Sequence, residues 1–379
     1  MASGTRGGPR VVAIVSDAIH PYHRGGKELR YLELTRRLAA RSDVHIYTMH
    51  WWNGPRVRQE DGVTFHAISR LVPLYAKDRR SLRQAAVFGL ACLQMLRYDF
   101  DVLETDSIPL IQVLVLRLVT WVKRKRFVVT WHEVWGRSYW CQYLGLLGFA
   151  AWLIESLAMR LPDHIIAASP QTAERLRASL GDRAAVSVAP NGIDLAEVAN
   201  AHSDSATTDI AVVGRLMTHK RVDMLLESIA QLHAEGMPVT CRVIGDGPER
   251  AALHERASEL GIADAVEFRH DVSEQKDVYG LLKAARVCVF PSAREGFGIA
   301  VLEALACGVP VITTSAPDNL ARHLVQRSAR GTVCEASAAA LAAAVKTVLA
   351  GPGAGEPEPW LREYSWDAMA DRVAEAFGI

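Results

Sequence analysis

Short apolar runs alternate with longer segments of helical periodicity along most of the chain. The runs are rich in Val and Ile, as expected of buried parallel strands. Helical segments between such runs indicate strand–helix units with helices on both faces of a parallel sheet. The strands predicted in the first half are Val11–Val15, Val44–Thr48, Val63–Ala67, Val102–Glu104, Phe127–Thr130, His164–Ala167 and Val186–Val188.

The second half repeats this alternation after a small, polar stretch that covers about residues 196 to 208. Such a composition is typical of a linker between domains. We therefore predict an α/β protein with two doubly wound, Rossmann-like domains, residues 1–195 and residues 196–360. The strands predicted in the second domain are Ile210–Val213, Val239–Ile244, Val266–Phe268, Val287–Phe290 and Val309–Ile312.

The most informative stretch is Pro291 to Ile312, which reads PSAREGFGIAVLEALACGVPVI. A loop follows the strand, and a helix is predicted from about Gly298 to Ala306. Unpaired N–H groups and the positive end of the helix dipole converge at such a start. The pattern predicts a site for an anion such as phosphate.

Two acids, Glu295 and Glu303, lie in this stretch. Their spacing of eight residues predicts that they lie on a similar helical face. Carboxylates accept hydrogen bonds from hydroxyls, so the pair suits a ligand with both phosphate and sugar groups. The alternative interpretation is that Glu295 caps the helix and Glu303 is a solvated surface acid. The apolar neighbours of Glu303 argue against a solvated position for it.

These residues, within EGFGIAVLEALACGVPVI, resemble the signature of the family-four retaining glycosyltransferases of GT-B fold. The resemblance implies that Glu303 holds the ribose of a sugar nucleotide and that Glu295 contacts the donor sugar. It also implies that the amides of Phe297, Gly298 and Ile299 lie against the sugar and the diphosphate.

Further donor-site candidates follow the strands of the second half. Arg215 and Lys220 flank a predicted helix start, where they form a surface pair or, as the resemblance implies, neutralise the leaving diphosphate. Gly245 in GDGP and Asp271 in RHDVS are candidate donor-binding residues. GDGP lacks the third glycine of a dinucleotide fingerprint, and RHDVS departs from the glycine usual in the family, which leaves the base open.

The first half supplies three candidates. Gly25 and Gly26 open a helix after the first strand, and His132 follows the strand Phe127–Thr130. From the residues alone, the glycine pair is equally well explained as an ordinary helix start, and a lone histidine is more often structural than functional. The resemblance places the glycine pair beside the donor diphosphate and the acceptor, and the histidine on the donor sugar.

Composition limits the classes of binding partner and the cellular compartment that we expect for this protein. A net charge of +1 argues against a nucleic-acid binder, and six scattered cysteines without a C-x-x-C pair indicate buried, reduced thiols in the cytoplasm. No apolar stretch is long enough to span a membrane. Basic clusters at residues 77–83 and 123–126 are either a solvated face or a contact with an anionic membrane, and the segment Tyr139–Met159 is either interfacial or core.

The prediction is a glycosyltransferase that moves a sugar from a UDP- or GDP-sugar to a hydroxyl acceptor with retention of configuration. The resemblance implies that the reaction needs neither a metal nor a cofactor, and no His/Cys cluster that could hold a metal is present in the sequence. The resemblance implies that residues 361–379 form a helix that returns to the first domain. A nucleotide-sugar epimerase or phosphorylase of the same fold, or a non-catalytic nucleotide-sugar-binding protein, are the alternatives. The acceptor and the oligomeric state stay open.

Overall fold

The computed structural model describes residues 10–23, 25–76, 79–181, 184–272 and 274–379. The chain divides into two compact units, the first formed by Met1–Gly192 with Trp366–Ile379 and the second by Ile193–Ser365. Within the described residues, no helix combines the length and the apolar character needed to cross a membrane.

The first unit contains an eight-stranded sheet in the order β10-β9-β8-β7-β1-β2-β4-β3. Strand β3 pairs antiparallel with β4 at one edge, and the other pairs are parallel. Two further short strands, β5 and β6, pair with each other. The bounds are β1 Val11–Val15, β2 Asp43–Met49, β3 Val57–Glu60, β4 Val63–Ser69, β5 Tyr75–Ala76, β6 Arg79–Arg80, β7 Val102–Asp106, β8 Arg126–Trp131, β9 His164–Ala167 and β10 Val186–Val188.

Helices connect these parallel strands and bury their apolar faces on the sheet. Val113, Leu116 and Val119 of α3, for example, pack into the core that contains Leu103 and Val129 of the strands. The bounds are α1 Gly26–Leu38, α2 Leu82–Ala91 followed by a 3-10 helix Cys92–Arg97, α3 Leu110–Lys123, α4 Gly136–Leu144, α5 Leu147–Ala158 and α6 Pro170–Leu180.

The second unit contains a parallel six-stranded sheet in the order β13-β12-β11-β14-β16-β18, and a small parallel pair β15-β17. The strands are β11 Thr208–Val213, β12 Cys241–Ile244, β13 Val266–Arg269, β14 Ala285–Phe290, β15 Arg294–Glu295, β16 Val311–Thr314, β17 Asp318–Asn319 and β18 Gly331–Cys334. The helices are α7 Leu195–Asn200, α8 Val222–Ala234, α9 Arg250–Glu259, α10 Gln275–Lys283, α11 Ile299–Ala306, α12 Arg322–Arg327 and α13 Ala338–Leu349, with 3-10 turns at Thr218–Lys220, Ala263–Ala265 and Pro359–Tyr364.

The last helix, α14 (Trp366–Phe377), belongs to the first unit. It packs on α1 and buries an apolar stripe that includes Met369, Val373 and Phe377. Arg37 of α1 and Arg41, which follows α1, form ion pairs with Asp367 and Asp371, at 2.5 Å and 2.6 Å. The return of the last helix, which the resemblance implied, is therefore present.

The doubly wound α/β fold is confirmed, and two local predictions need correction. Leu195–Asn200 is a helix within the predicted linker, because the Asp194 side chain caps it by accepting from the Glu197 N–H at 2.9 Å. Strands β3 and β18 were not predicted, since Val57–Glu60 is a polar edge strand and Gly331–Cys334 begins with glycine. The segment Tyr139–Met159 forms two helices, α4 and α5.

All six cysteines are free, and Cys92, Cys241 and Cys288 are buried.

Candidate active site

Arg215 and Lys220 lie beside the loop that follows β14 in the second unit. Lys220 Nζ donates a hydrogen bond to Glu295 Oε2, and both side chains are about a quarter exposed, at 25% and 22%. Arg215 and Lys220 line one small pocket together with Pro291 and Ser292. The Lys220–Glu295 pair therefore connects the segment after β11 with the loop after β14. Strands β11 and β14 are neighbours in the sheet.

Glu295 is held by backbone pairing and does not belong to the helix that follows it. It lies in β15 beside Asn319, and its carbonyl accepts from the Leu320 N–H at 2.8 Å. The expectation that Glu295 and Glu303 share a helical face is therefore wrong, because helical spacing applies only within α11.

The N-terminus of α11 is set by Gly298, which has a left-handed conformation with φ +92°. A Cβ at this position would lie 2.5 Å from Ala321 Cβ, so only glycine fits without a shift. Phe297 before it is buried against Tyr364, with ring centroids 5.8 Å apart, and Ile299 is the first helical residue. As at any helix start, the first amides of α11 have no carbonyl partner within the helix.

Glu303 is buried on α11, where Gln275 Nε2 donates to its Oε1 at 2.7 Å. Burial, with a smaller contribution from the charge of Glu197, raises the pKa of the Glu303 carboxyl to about 8. The side chain is therefore mostly protonated at neutral pH, so that it both donates and accepts hydrogen bonds. A solvated surface acid is excluded by this burial.

Gly245 and Asp271 follow β12 and β13 at the same edge of the sheet. The Gly245 N–H donates to the Arg269 carbonyl at 2.8 Å, and the Gly214 N–H donates to the Ile244 carbonyl at 3.0 Å. Asp271 is exposed and bonds Arg269 at 2.9 Å, which lowers the pKa of its carboxyl. It lines a second, larger cavity, which shares no lining residue with the pocket of Arg215 and Lys220.

In the first unit, Gly25 caps α1 and Gly26 is its first residue. The start of this helix is tied down by Lys27, whose Nζ lies 2.6 Å from Asp17 Oδ1 and 3.3 Å from Asp106 Oδ2. Asp17 follows strand β1, and Asp106 is the last residue of the neighbouring strand β7. The start of α1 is therefore fixed to the carboxyl edge of the sheet.

His132 lies directly after β8. Its Nε2 is buried and has no hydrogen-bond partner among the described residues. Burial, followed by the charges of Arg30 and Lys27, lowers the pKa of the His132 ring to about 3. The imidazole is neutral at physiological pH, and its Nε2 is a group that a ligand could satisfy.

The buried acid–base cluster of Asp17, Lys27, Arg80 and Asp106 was missed by sequence reasoning. Arg80 was assigned to a basic surface cluster, but its guanidinium lies 3.3 Å from the buried Asp17 carboxylate. Lys77 of that cluster lies outside the described residues. The sequence signal for this cluster was the position of both acids at strand carboxyl ends.

Among the described residues, no three His, Cys, Asp or Glu side chains form a group that could hold a metal ion.

Two family models match the chain. The model for glycosyltransferase family 4 matches residues 24–197, and the model for glycosyl transferases group 1 matches residues 198–372. A GDP-mannose-dependent alpha-(1-6)-phosphatidylinositol dimannoside mannosyltransferase of Mycobacterium tuberculosis is 34% identical over 37% of this chain and 35% of its own length. A D-inositol 3-phosphate glycosyltransferase of Rhodococcus jostii is 31% identical over 57% of this chain and 47% of its own length.

The chain thus aligns with about a third to a half of the length of these relatives. Among solved structures, sucrose-phosphate synthase from Thermosynechococcus elongatus superposes with a TM-score of 0.77 at 22% identity, covering 97% of this chain and 98% of the other. That likeness shows the two-domain GT-B fold. Because the two family models together account for residues 24–372, the chain belongs to glycosyltransferase family 4.

Proposed function

We propose that the protein transfers a sugar from a nucleoside-diphosphate sugar to an acceptor hydroxyl, with retention of anomeric configuration. The observation that carries the proposal is the Lys220–Glu295 pair, which lies beside the start of α11 together with Arg215. The cation suits the diphosphate of such a donor, the carboxylate suits the sugar hydroxyls, and the amides at the helix start suit the phosphate oxygens and the sugar beside them.

Each donor-site residue then has a defined role. Arg215 and Lys220 neutralise the diphosphate as it leaves, and Glu295 accepts hydrogen bonds from the sugar hydroxyls. The amides of Phe297, Gly298 and Ile299 bind the phosphate oxygens and the sugar. Glu303 bonds the ribose, a role suited to a mostly neutral carboxyl that both donates and accepts.

Gly245 and Asp271 follow the two strands at the other side of β11, and we assign them to the nucleoside part of the donor. The base contact at Asp271 involves its ion-pair partner Arg269. In the first unit, Gly25 and Gly26 present the amides of α1 to the diphosphate and the acceptor. The neutral His132 ring uses its unpaired Nε2 to bond a donor-sugar hydroxyl.

The proposed reaction proceeds on one face of the sugar. The bond from the anomeric carbon to the β-phosphate oxygen breaks, and the acceptor oxygen bonds the same carbon. The leaving phosphate takes the acceptor's proton, so no protein base is required, and Arg215, Lys220 and the helix amides act on the diphosphate in place of a metal ion. Side chains and helix amides carry the charge that develops on the diphosphate.

The relatives suggest which substrates to test first. One is named for GDP-mannose and a phosphatidylinositol dimannoside, and the other for D-inositol 3-phosphate. We propose GDP- or UDP-sugars as donors and an inositol-bearing or envelope glycolipid as acceptor. The protein would act in the cytoplasm, in contact with an anionic membrane.

The test is a thermal-shift and nucleotide-release assay on the full chain with UDP-, GDP-, ADP- and dTDP-sugars, with EDTA present and NAD as control. We expect one nucleotide family to stabilise the protein, with slow release of the nucleoside diphosphate. NMR of the glycosylated product should show the donor's anomeric configuration. Stabilisation by NAD alone, or by no nucleotide sugar, would contradict the proposal.

A further inference from the structure

We propose that an exposed apolar face on α3 and α5 of the first unit is the surface by which the protein lies on an anionic lipid bilayer. The face consists of Leu118 and Trp121 of α3, Leu146 before α5, and Leu147, Leu153 and Leu157 of α5, with exposures from 48% to 99%. This inference refines the membrane contact in the proposed function and rests on that part of it.

Exposed large hydrophobic side chains are concentrated on this part of the molecule. Those in the described residues all lie in the first unit, and all but Tyr22, Val57 and Leu71 lie between residues 82 and 157. The second unit has a core of similar extent without such exposure. Contiguous exposed apolar area of this kind marks a site of interaction with a protein or a membrane.

The rotation of α5 about its axis is fixed, so the leucines cannot turn inward. Gly148 lies so close to the Trp140 backbone that a Cβ there would be 2.1 Å from the Trp140 carbonyl oxygen. Glu155 is buried on the same side of α5 and accepts hydrogen bonds from the Trp135 and Gly136 N–H groups, each at 2.9 Å, and from Trp140 Nε1 at 3.0 Å. These contacts hold the apolar side of α5 toward solvent.

The leucines of α5 and the exposed residues of α3 form one surface. The two helices pack against each other, and Leu116 and Val119 of α3 share a core with Ala158 of α5. With their inner sides buried in one core, their outer sides are neighbours. Trp121, at 72% exposure, sits at the end of this surface, a typical place for an interfacial aromatic residue.

The charges around the face favour anionic headgroups. The Arg137 guanidinium lies 5.4 Å from the Phe149 ring centroid, Arg160 is exposed after the last turn of α5, and Lys123 and Arg124 end α3. The one acid within α5, Glu155, is buried under the helix. Two acids flank the surface, Asp99 at 3.9 Å from Lys123 and Asp163 paired with Arg117. An apolar helix face with a basic rim is the pattern of interfacial helices.

A second copy of the chain fits this surface less well than a bilayer. A twofold interface would place the same rim, with Arg137 and Arg160, against itself. Like charges brought together at the edge of a dry interface oppose association. An anionic bilayer meets the same rim with opposite charge and accepts the leucines in its acyl boundary.

The test is flotation of the full chain with vesicles of phosphatidylcholine alone or with phosphatidylglycerol added, at low and high salt. Leu153→Asp changes the proposed face at 48% exposure, and Leu71→Asp is the matched control at 49% exposure outside it. We expect binding to the anionic vesicles, weakened by salt. Binding should fall about tenfold or more for L153D and stay near the parent value for L71D.

Circular dichroism and the nucleotide thermal shift are measured on each variant, so that a folding defect or a failure of the donor site is seen separately from loss of binding. Equal loss in L71D and L153D, or no binding of the parent to anionic vesicles at low salt, would overturn the proposal. A concentration-dependent dimer that L153D dissociates, without vesicle binding, would assign the face to a second copy instead.

Discussion

Glu303 illustrates at the residue scale how burial converts a common side chain into a specialised one. Its carboxyl sits among buried apolar residues of α11, with Gln275 as its hydrogen-bond partner and Glu197 as a nearby like charge. The sequence indicated that an acid flanked by Val301, Leu302, Ala304 and Leu305 needs a reason to be there. It did not indicate the protonation state, because the burial that raises the pKa, and the nearby charge of Glu197, arise only in the folded chain.

The pKa of about 8 makes stability depend on pH in a defined direction. In the unfolded chain this carboxyl titrates near 4.5, so between about pH 4.5 and 8 the folded state binds more protons at this site. The contribution of this site to the free energy of unfolding therefore decreases as pH rises through that window. Glu303→Gln removes this titration while it keeps the acceptor for Gln275.

We therefore expect the stability of Glu303→Gln relative to the parent to increase from pH 5 to pH 8.5, by an amount on the order of a few kcal/mol. Urea unfolding at both pH values measures the difference. Glu255→Gln, the same substitution at an exposed position, is the control for replacing a glutamate by glutamine. A constant offset between Glu303→Gln and the parent would show that the carboxyl is ionised throughout.

At the element scale, α11 begins where it does because Gly298 has a conformation that other residues rarely adopt. The sequence predicted this start from the glycine and the strand before it, and the bounds agree within one residue. The short pair β15–β17 was not predictable, since two-residue strands leave no periodic signal. That pair, and not helical spacing, fixes Glu295.

Gly298→Ala should destabilise the protein more than Gly236→Ala. Both glycines have a positive φ, at +92° and +78°, but only Gly298 has a close neighbour, with the added methyl group 2.5 Å from Ala321 Cβ. The conformational cost is roughly 1 kcal/mol at either site, and the clash adds to it at Gly298 alone. Urea unfolding of the two variants measures the difference, and equal losses would show that Ala321 yields to the added methyl group.

At the scale of the whole molecule, the sequence predicted both sheets from the alternation of apolar runs and helical segments. It placed Asp17 and Asp106 near strand carboxyl ends but did not show that they meet Lys27 and Arg80, because that contact depends on the order of strands in the folded sheet. The return of the last helix came from the family resemblance alone. The composition of residues 366–377 shows an amphipathic helix without showing what it covers.

Because α14 belongs to the first unit, a destabilising substitution in α14 should lower the stability of that unit. Phe377 is 1% exposed, and truncation to alanine should cost about 3 kcal/mol. All tryptophans but Trp360 lie in the first unit, so fluorescence-detected urea unfolding reports that unit. We expect Phe377→Ala to shift this transition to lower urea. A fluorescence transition that stays at the parent's midpoint would mean that α14 does not stabilise the first unit.

The central claim is that nucleotide-sugar transfer depends on the Lys220–Glu295 pair, and steady-state nucleotide release tests it most directly. The pair is partly exposed, so its loss should cost only about 1 kcal/mol of stability and leave the fold intact. Lys346→Ala removes a lysine from an exposed pair with Glu235 and serves as the matched control. With the donor that stabilises the parent, kcat/KM should fall about 100-fold for Lys220→Ala and remain unchanged for Lys346→Ala. A folded Lys220→Ala protein as active as the parent would contradict the account.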